Sequence, residues 1–106
     1  NSVVIFVRGG KLFKMPSNQY RAWHKDASKQ LTELQFSKKP IEVKVVEMTF
    51  FAPDRRKFDL TNKAESVMDL LVDNGVLEDD NCYVVPKVIL NFGGVDKERP
   101  GVIINL

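Results

Sequence analysis

The chain of 106 residues has one cysteine, one histidine, one tryptophan and no long apolar run. A lone Cys82 forms no intrachain bridge, which excludes a disulfide framework and suits a reducing cytosol. A lone His24 has neither a cysteine nor a second histidine to complete a zinc-type ligand set. No stretch approaches the roughly 18 apolar residues of a membrane-spanning helix. No charged-then-apolar leader suggests export, so a cytoplasmic protein is expected. Repeats, low-complexity tracts and linkers are missing too, and the length suits one domain over residues 1–106 with no second core. The chain begins at Asn1 rather than Met, so a native start upstream stays open. What remains is a composition of 43% hydrophobic and 28% charged residues, the range of soluble globular domains.

A net charge of +2 conceals a division. Residues 1–57 carry 12 basic and 5 acidic side chains, a net of +7, whereas residues 58–106 carry 4 and 9, a net of −5. Seven of those nine acids lie between Asp59 and Asp80. A basic half beside a concentrated acidic segment suits a protein that holds a polyanion near metal ions. Two solvated faces of opposite sign explain the same pattern, and charge alone favours that plainer account.

Periodicity outlines the elements. Val3–Val7 is a short β-branched run, Arg8-Gly9-Gly10-Lys11 a hairpin turn, and Lys11–Met15 the expected return strand. Ser17 or Asn18 can cap a helix whose apolar stripe is Tyr20, Trp23, Ala27, Leu31 and Leu34, reaching about Gln35. Arg21, Lys25 and Lys29 form a basic row on another face of it. Ile41–Phe51 is the longest strand candidate, with a change of parity at Val45-Val46 suggesting a bulge or burial on both faces. Asn62–Asp73 reads as a second helix, buried through Ala64, Val67, Met68 and Leu71, with Glu65, Asp69 and Asp73 as an acidic row. Asn74-Gly75 ends it with a left-handed cap. Cys82–Phe92 reads as a strand with Pro86 at an edge or bulge, Gly93-Gly94 as a turn, and Val102–Ile104 as the closing strand. The expected fold class is α+β, about five strands of mixed sheet and two helices in the order β-β-α-β-α-β-β. Phe6, Trp23, Phe50 and Phe51 are core candidates, and Cys82 a buried strand residue.

The chemistry concentrates in residues 53–80. Arg55-Arg56-Lys57 ends a strand, Asp59 precedes the second helix, and Asp79-Asp80 follows it. Converging carboxylates repel unless protons or cations neutralise them, and hard oxygen ligands suit Mg²⁺ or Mn²⁺. Such ions polarise a phosphoryl oxygen and activate water, while fixed cations hold neighbouring phosphates. The reaction class this suggests is metal-assisted phosphodiester hydrolysis. Asp59 could instead serve as an ordinary helix cap, whereas a solvated face explains Glu65 and Asp69 equally well.

Pro53-Asp54-Arg55-Arg56-Lys57-Phe58-Asp59-Leu60-x-Asn62, followed by Asp69, Gly75 and Asp79-Asp80, resembles the RusA family of crossover-junction endodeoxyribonucleases. Asn1-Ser2 and Met15-Pro16-Ser17 through Trp23 look like its shorter, Gram-positive phage branch. The resemblance implies a homodimer that binds four-way DNA junctions and cuts symmetrically related strands with Mg²⁺, Mn²⁺ being a possible substitute. It carries the family's metal ligands to Asp59 and Asp80, with Asp79 beside the latter. Two positions depart from the family. Its second carboxylate is Thr61 here, and its helix lysine falls at Glu65. Glu65 lies one turn beyond Thr61 and could restore the missing carboxylate from the same face, with Asp69 a further ligand candidate and Lys63 a substitute for the lysine. Arg55, Arg56, Lys57, Asn62, Lys63, Lys14 and Lys87 are the candidate DNA contacts. A junction-binding relative with weak or lost cleavage, and a non-catalytic dimeric interaction module, are the rival readings.

Overall fold

A computed structural model describes residues 2–6, 17–33 and 39–106. Strands β1 (Ser2–Phe6), β2 (Val46–Ala52), β3 (Val88–Val95) and β4 (Gly101–Asn105) form one mixed sheet in the order β1-β4-β2-β3. Helices α1 (Ser17–Glu33) and α2 (Leu60–Asp73) complete an α+β fold. β4 is antiparallel to both β1 and β2, whereas β2 and β3 run parallel across the connection through α2. The expected return strand at Lys11–Met15, its turn, Leu34 and Lys14 lie outside the described residues.

The period-2 pattern of β2 is why one face of the sheet is dry. Val46, Met48, Phe50 and Ala52 are fully buried, while Glu47, Thr49 and Phe51 are half-exposed on the other face. Val3 and Ile5 of β1 and Val102 and Ile104 of β4 extend the dry face. Against it α1 places Ala27 and Leu31, and α2 places Ala64, Val67, Met68, Leu70 and Leu71. Each fully buried aliphatic side chain contributes about 1.5–3 kcal/mol relative to exposure. Trp23 is half-buried against this core, and Gln30 is buried with its amide donating to Asp26 at 3.0 Å.

Several boundaries differ from those expected. β2 starts at Val46 rather than Ile41, because the Ile41 amide donates to Val76 in the loop after α2 and the ladder opens with Val46 to Lys87. α2 starts two residues early, at Leu60. Its exit matches expectation: Gly75 has φ +71°, and the amides of Val76 and Leu77 return to Leu71. β3 starts at Val88, not Cys82. The Asn81 side chain accepts the amides of Tyr83 and Val84, its carbonyl accepts that of Val85, and Pro86 has none to offer a ladder. Cys82 is therefore exposed on a turn rather than buried in a strand. Gly93-Gly94 does not turn the chain. Both lie inside β3, where the register slips from Phe50↔Phe92 to Phe51↔Gly94 and leaves Gly93 as the extra residue of a bulge.

Candidate functional site

α2 packs on the dry face of the sheet alongside its edge strand β3, and the seam between them holds two adjoining depressions. One is a groove of about 500 Å³. Thr61, Glu65 and Asp69 enter it from α2, Asp80 from the loop after the helix, and Ala64, Met68, Val88 and Leu90 line its floor. Spacing of four residues sets Thr61, Glu65 and Asp69 on one helical stripe. Asp80 reaches the same groove because the chain turns back at Gly75 before entering β3. Glu65, Asp69 and Asp80 are exposed.

The second depression is an open cleft of about 460 Å³ at the start of α2. Arg55, Arg56 and Lys57 form its rim, and Phe58, Leu60, Phe92 and Val95 its apolar wall. Arg56 is held in place by Asp54, whose carboxylate accepts its backbone amide at 2.9 Å and its Nε at 3.0 Å. The amide and side-chain hydrogen bonds from Arg56 hold the Asp54 carboxyl below its ordinary range.

The candidate carboxylates are not equivalent. Asp59 stands at the N-cap of α2 in extended conformation, yet its side chain makes no cap hydrogen bond. Its one described partner is the Asn62 amide at 3.5 Å, so capping does not consume the carboxylate. Asp59 does not line the groove that holds Asp80. Asp79 is exposed but engaged by its own loop, accepting the Asp80 amide at 2.7 Å and the Asn81 side chain at 3.0 Å. Those bonds hold its carboxyl below the usual value. Asp73, at the end of the acidic row, pairs with His24 at 2.9 Å and ties α2 to α1.

Lys63 stands about 200° around the helix from Thr61 and lies outside the groove, and burial pulls its ammonium pKa down. Lys87 is exposed immediately before β3. Exposed Arg21, Lys25 and Lys29 keep their row on α1. Phe58, Phe92 and Val95 were not singled out from the sequence; two consecutive glycines after an aromatic in a strand were the available sign of a bulge that would aim Phe92 outward.

The donors in the groove are carboxylates and a hydroxyl, the hard oxygen set of Mg²⁺ or Mn²⁺ and a poor set for softer metals. They share the groove without being gathered around a point: among the described residues no three His, Cys, Asp or Glu are grouped closely enough to hold an ion. Among the described residues, too, no helix is long and apolar enough to cross a membrane.

Comparison with known proteins shows the family. The family model described as Endodeoxyribonuclease RusA matches residues 5–106. The crossover junction endodeoxyribonuclease RusA of Aquifex aeolicus (strain VF5) is 32% identical over 100 residues, covering 93% of this chain and 75% of the relative.

Proposed function

The chain belongs to the RusA family of endodeoxyribonucleases, and from that premise we propose that it resolves four-way (Holliday) junctions by divalent-metal-dependent hydrolysis of phosphodiesters in the cytoplasm. The observation that supports this best is the adjacency of an acidic groove and a cationic cleft along one seam. A phosphate backbone laid along the seam meets fixed positive charge at Arg55, Arg56 and Lys57, and reaches the carboxylates within one turn or two of α2.

In this reading Glu65 and Asp80 would hold Mg²⁺, or Mn²⁺ in its place, with Asp69 beside them in the groove and Asp59 outside it at the helix cap. The ion, when bound, neutralises the scissile phosphate and lowers the pKa of an attacking water. The protein's own groups do the rest. Arg55 and Lys57 bind flanking phosphates, and Arg56 is oriented toward them by Asp54. Asn62 and Lys63 on the first turn of α2, and Lys87 at the entry to β3, are further DNA contacts. Val88, Leu90 and Met68 give the groove an apolar floor that limits competing water. A homodimer would present two such seams to the two symmetry-related strands of a junction.

A fixed four-way junction incubated with the protein in Mg²⁺, Mn²⁺ or EDTA tests the reading. Metal-dependent symmetric nicking is expected; a mobility shift with no nicking in either metal would refute hydrolysis and leave a junction-binding protein. Glu65→Gln is expected to abolish nicking while sparing the shift. Unchanged cutting by that variant would remove Glu65 from the metal site.

A further inference from the structure

The acidic groove and the basic rim follow from the proposed reaction, but an exposed aromatic between them does not. Phe92 is 54% exposed although it lies on the dry face of the sheet, in register with fully buried Phe50. Its ring meets that of Phe58 edge to face, centroids 5.8 Å apart and planes at 74°. Such a pairing fixes the ring without covering it.

A second observation concerns the backbone. The bulge at Gly93 follows Phe92 directly, and bulges at a sheet edge re-aim side chains. Regular alternation would set Phe92 and Val95 on opposite faces. The extra residue brings Val95 into register with Ala52, so that Phe92 and Val95 share the helix-side face and both wall the cleft. Gly93 and Gly94 add no side chain that could shield the ring. Rigid exposure of this kind carries a hydration cost that ordinary packing would avoid.

The surroundings indicate what covers it. Arg55 and Lys57 border the cleft, both exposed and, among the described residues, in no ion pair. Positive charge beside an open aromatic face is the combination that receives a nucleotide, phosphate on the cations and base on the ring. A purely apolar partner would have to desolvate those cations to reach Phe92, which disfavours it.

We propose that Phe92 is a strand-positioning residue: a nucleobase unstacked at the branch point rests on its ring while Arg55 and Lys57 hold the flanking phosphates. The inference rests on the reading of the chain as a junction endonuclease and goes beyond it by assigning how one strand is set along the seam. Open junctions offer such bases at low cost, since the branch already interrupts stacking. Discrimination between branched and continuous duplex would then depend in part on Phe92, because a fully stacked duplex has no base to offer.

The test uses the full chain and a four-way junction carrying one 5-iodouracil at the branch point, irradiated in EDTA so that no cutting intervenes, with the cross-linked peptide mapped by mass spectrometry. Cross-linking at Phe92 is expected. Phe92→Leu, which keeps the apolar volume without a π face, is expected to lose the cross-link and bind the junction roughly tenfold or more weakly. Phe92→Tyr is expected to retain both. Sedimentation of the free protein should be the same for all three. Cross-linking elsewhere, or wild-type affinity in Phe92→Leu, would overturn the inference while leaving junction cutting intact. So would dissociation of an oligomer by Phe92→Leu, which would make the patch a contact between copies. Conversely, a Phe92 cross-link from a wild-type protein that cuts no junction in Mg²⁺ or Mn²⁺ would uphold the stacking role and refute the proposed hydrolysis.

Discussion

Gly93 is the position at which the fold of the seam is most exposed to a single methyl group. A Cβ added there would lie 2.6 Å from Phe51 Cε1, 2.7 Å from its Cζ and 2.9 Å from Thr49 Cγ2. Real contacts of that type are not sustained, so either the Phe51 ring swings away from the sheet or the bulge opens. Overpacking of this kind costs about 1–3 kcal/mol. The same substitution restricts the unfolded chain and returns about 0.4–1 kcal/mol, since Gly93 has no left-handed φ that alanine would resist. Gly93→Ala is therefore expected to destabilise by about 1–2 kcal/mol, a drop in melting temperature of roughly 5–15 °C for a domain of this size. The cause is separable by a double-mutant cycle in urea. With Phe51→Ala in place the two shortest contacts vanish, and the added cost of Gly93→Ala should fall by about 1 kcal/mol. A Gly93→Ala protein that melts with the wild type would refute the reasoning, as would an equal cost in both backgrounds.

Thr61→Asp returns a carboxylate to the stripe that faces Asp80, and the Mg²⁺ concentration for half-maximal junction cutting is expected to fall roughly tenfold or more; an unchanged requirement would show that position 61 lies beyond reach of the ion. Arg55→Ala should reduce the slope of log affinity against log salt by about 0.9, the loss of one phosphate contact. A parallel plot would remove Arg55 from the backbone path. Asp54 and Asp79 both have carboxyls held below their ordinary value of 3.8 in the folded protein. Each therefore adds stability that is present above that value and is lost as pH falls through the lower folded value. Urea midpoints followed from about pH 5 to pH 2 should drop less steeply for Asp54→Asn with Asp79→Asn than for the wild type, and superimposable profiles would contradict the sign.

α2 was legible because its signals reinforce one another: an apolar stripe from Ala64 to Leu71, acids on the opposite side and Asn74-Gly75 at the exit. The parity of Val46, Met48 and Phe50 likewise marked a strand face that the structure buries completely. Pattern and structure part where a segment's conformation depends on a partner elsewhere in the chain. Residues 41–45 alternate like a strand, but the Ile41 amide finds a loop carbonyl and no ladder. Val84 and Val85 have strand propensity, yet the Asn81 side chain captures the backbone ahead of them. Gly93-Gly94 has the composition of a turn, and only its pairing with Phe50 and Phe51 makes it a bulge. At the site, the stripe of Thr61, Glu65 and Asp69 was readable from spacing alone. That Asp80 joins it and Asp59 does not depends on the path of the loop after Gly75, which no local pattern encodes. Phe92 was illegible for the same reason, since its exposure is a product of register.

Thr61 and Glu65 then bear on where a metal ion would sit. The resemblance to the family implies two carboxylates at the entry of the helix, at positions 59 and 61. Moving the second to position 65 keeps it on the same face, only about 40° around the axis, but shifts it about 6 Å along the helix. The extra methylene of glutamate recovers a fraction of that distance. Asp80 opens into the groove beside Glu65 and Asp69, whereas Asp59 remains at the cap, outside the groove. Charge density in this chain is thus displaced from the first turn of α2 toward its middle. On the proposed reading the centre of the ion site moves the same way, toward Glu65 and Asp80, and Asp59 is left closer to the cationic cleft. Asp59 follows Lys57 by two residues in the chain, and a carboxylate so placed opposes phosphate binding unless a cation is shared between them. A substitution at Asp59 should accordingly alter DNA affinity and metal dependence together, whereas substitutions at Glu65 and Asp80 should alter metal dependence alone.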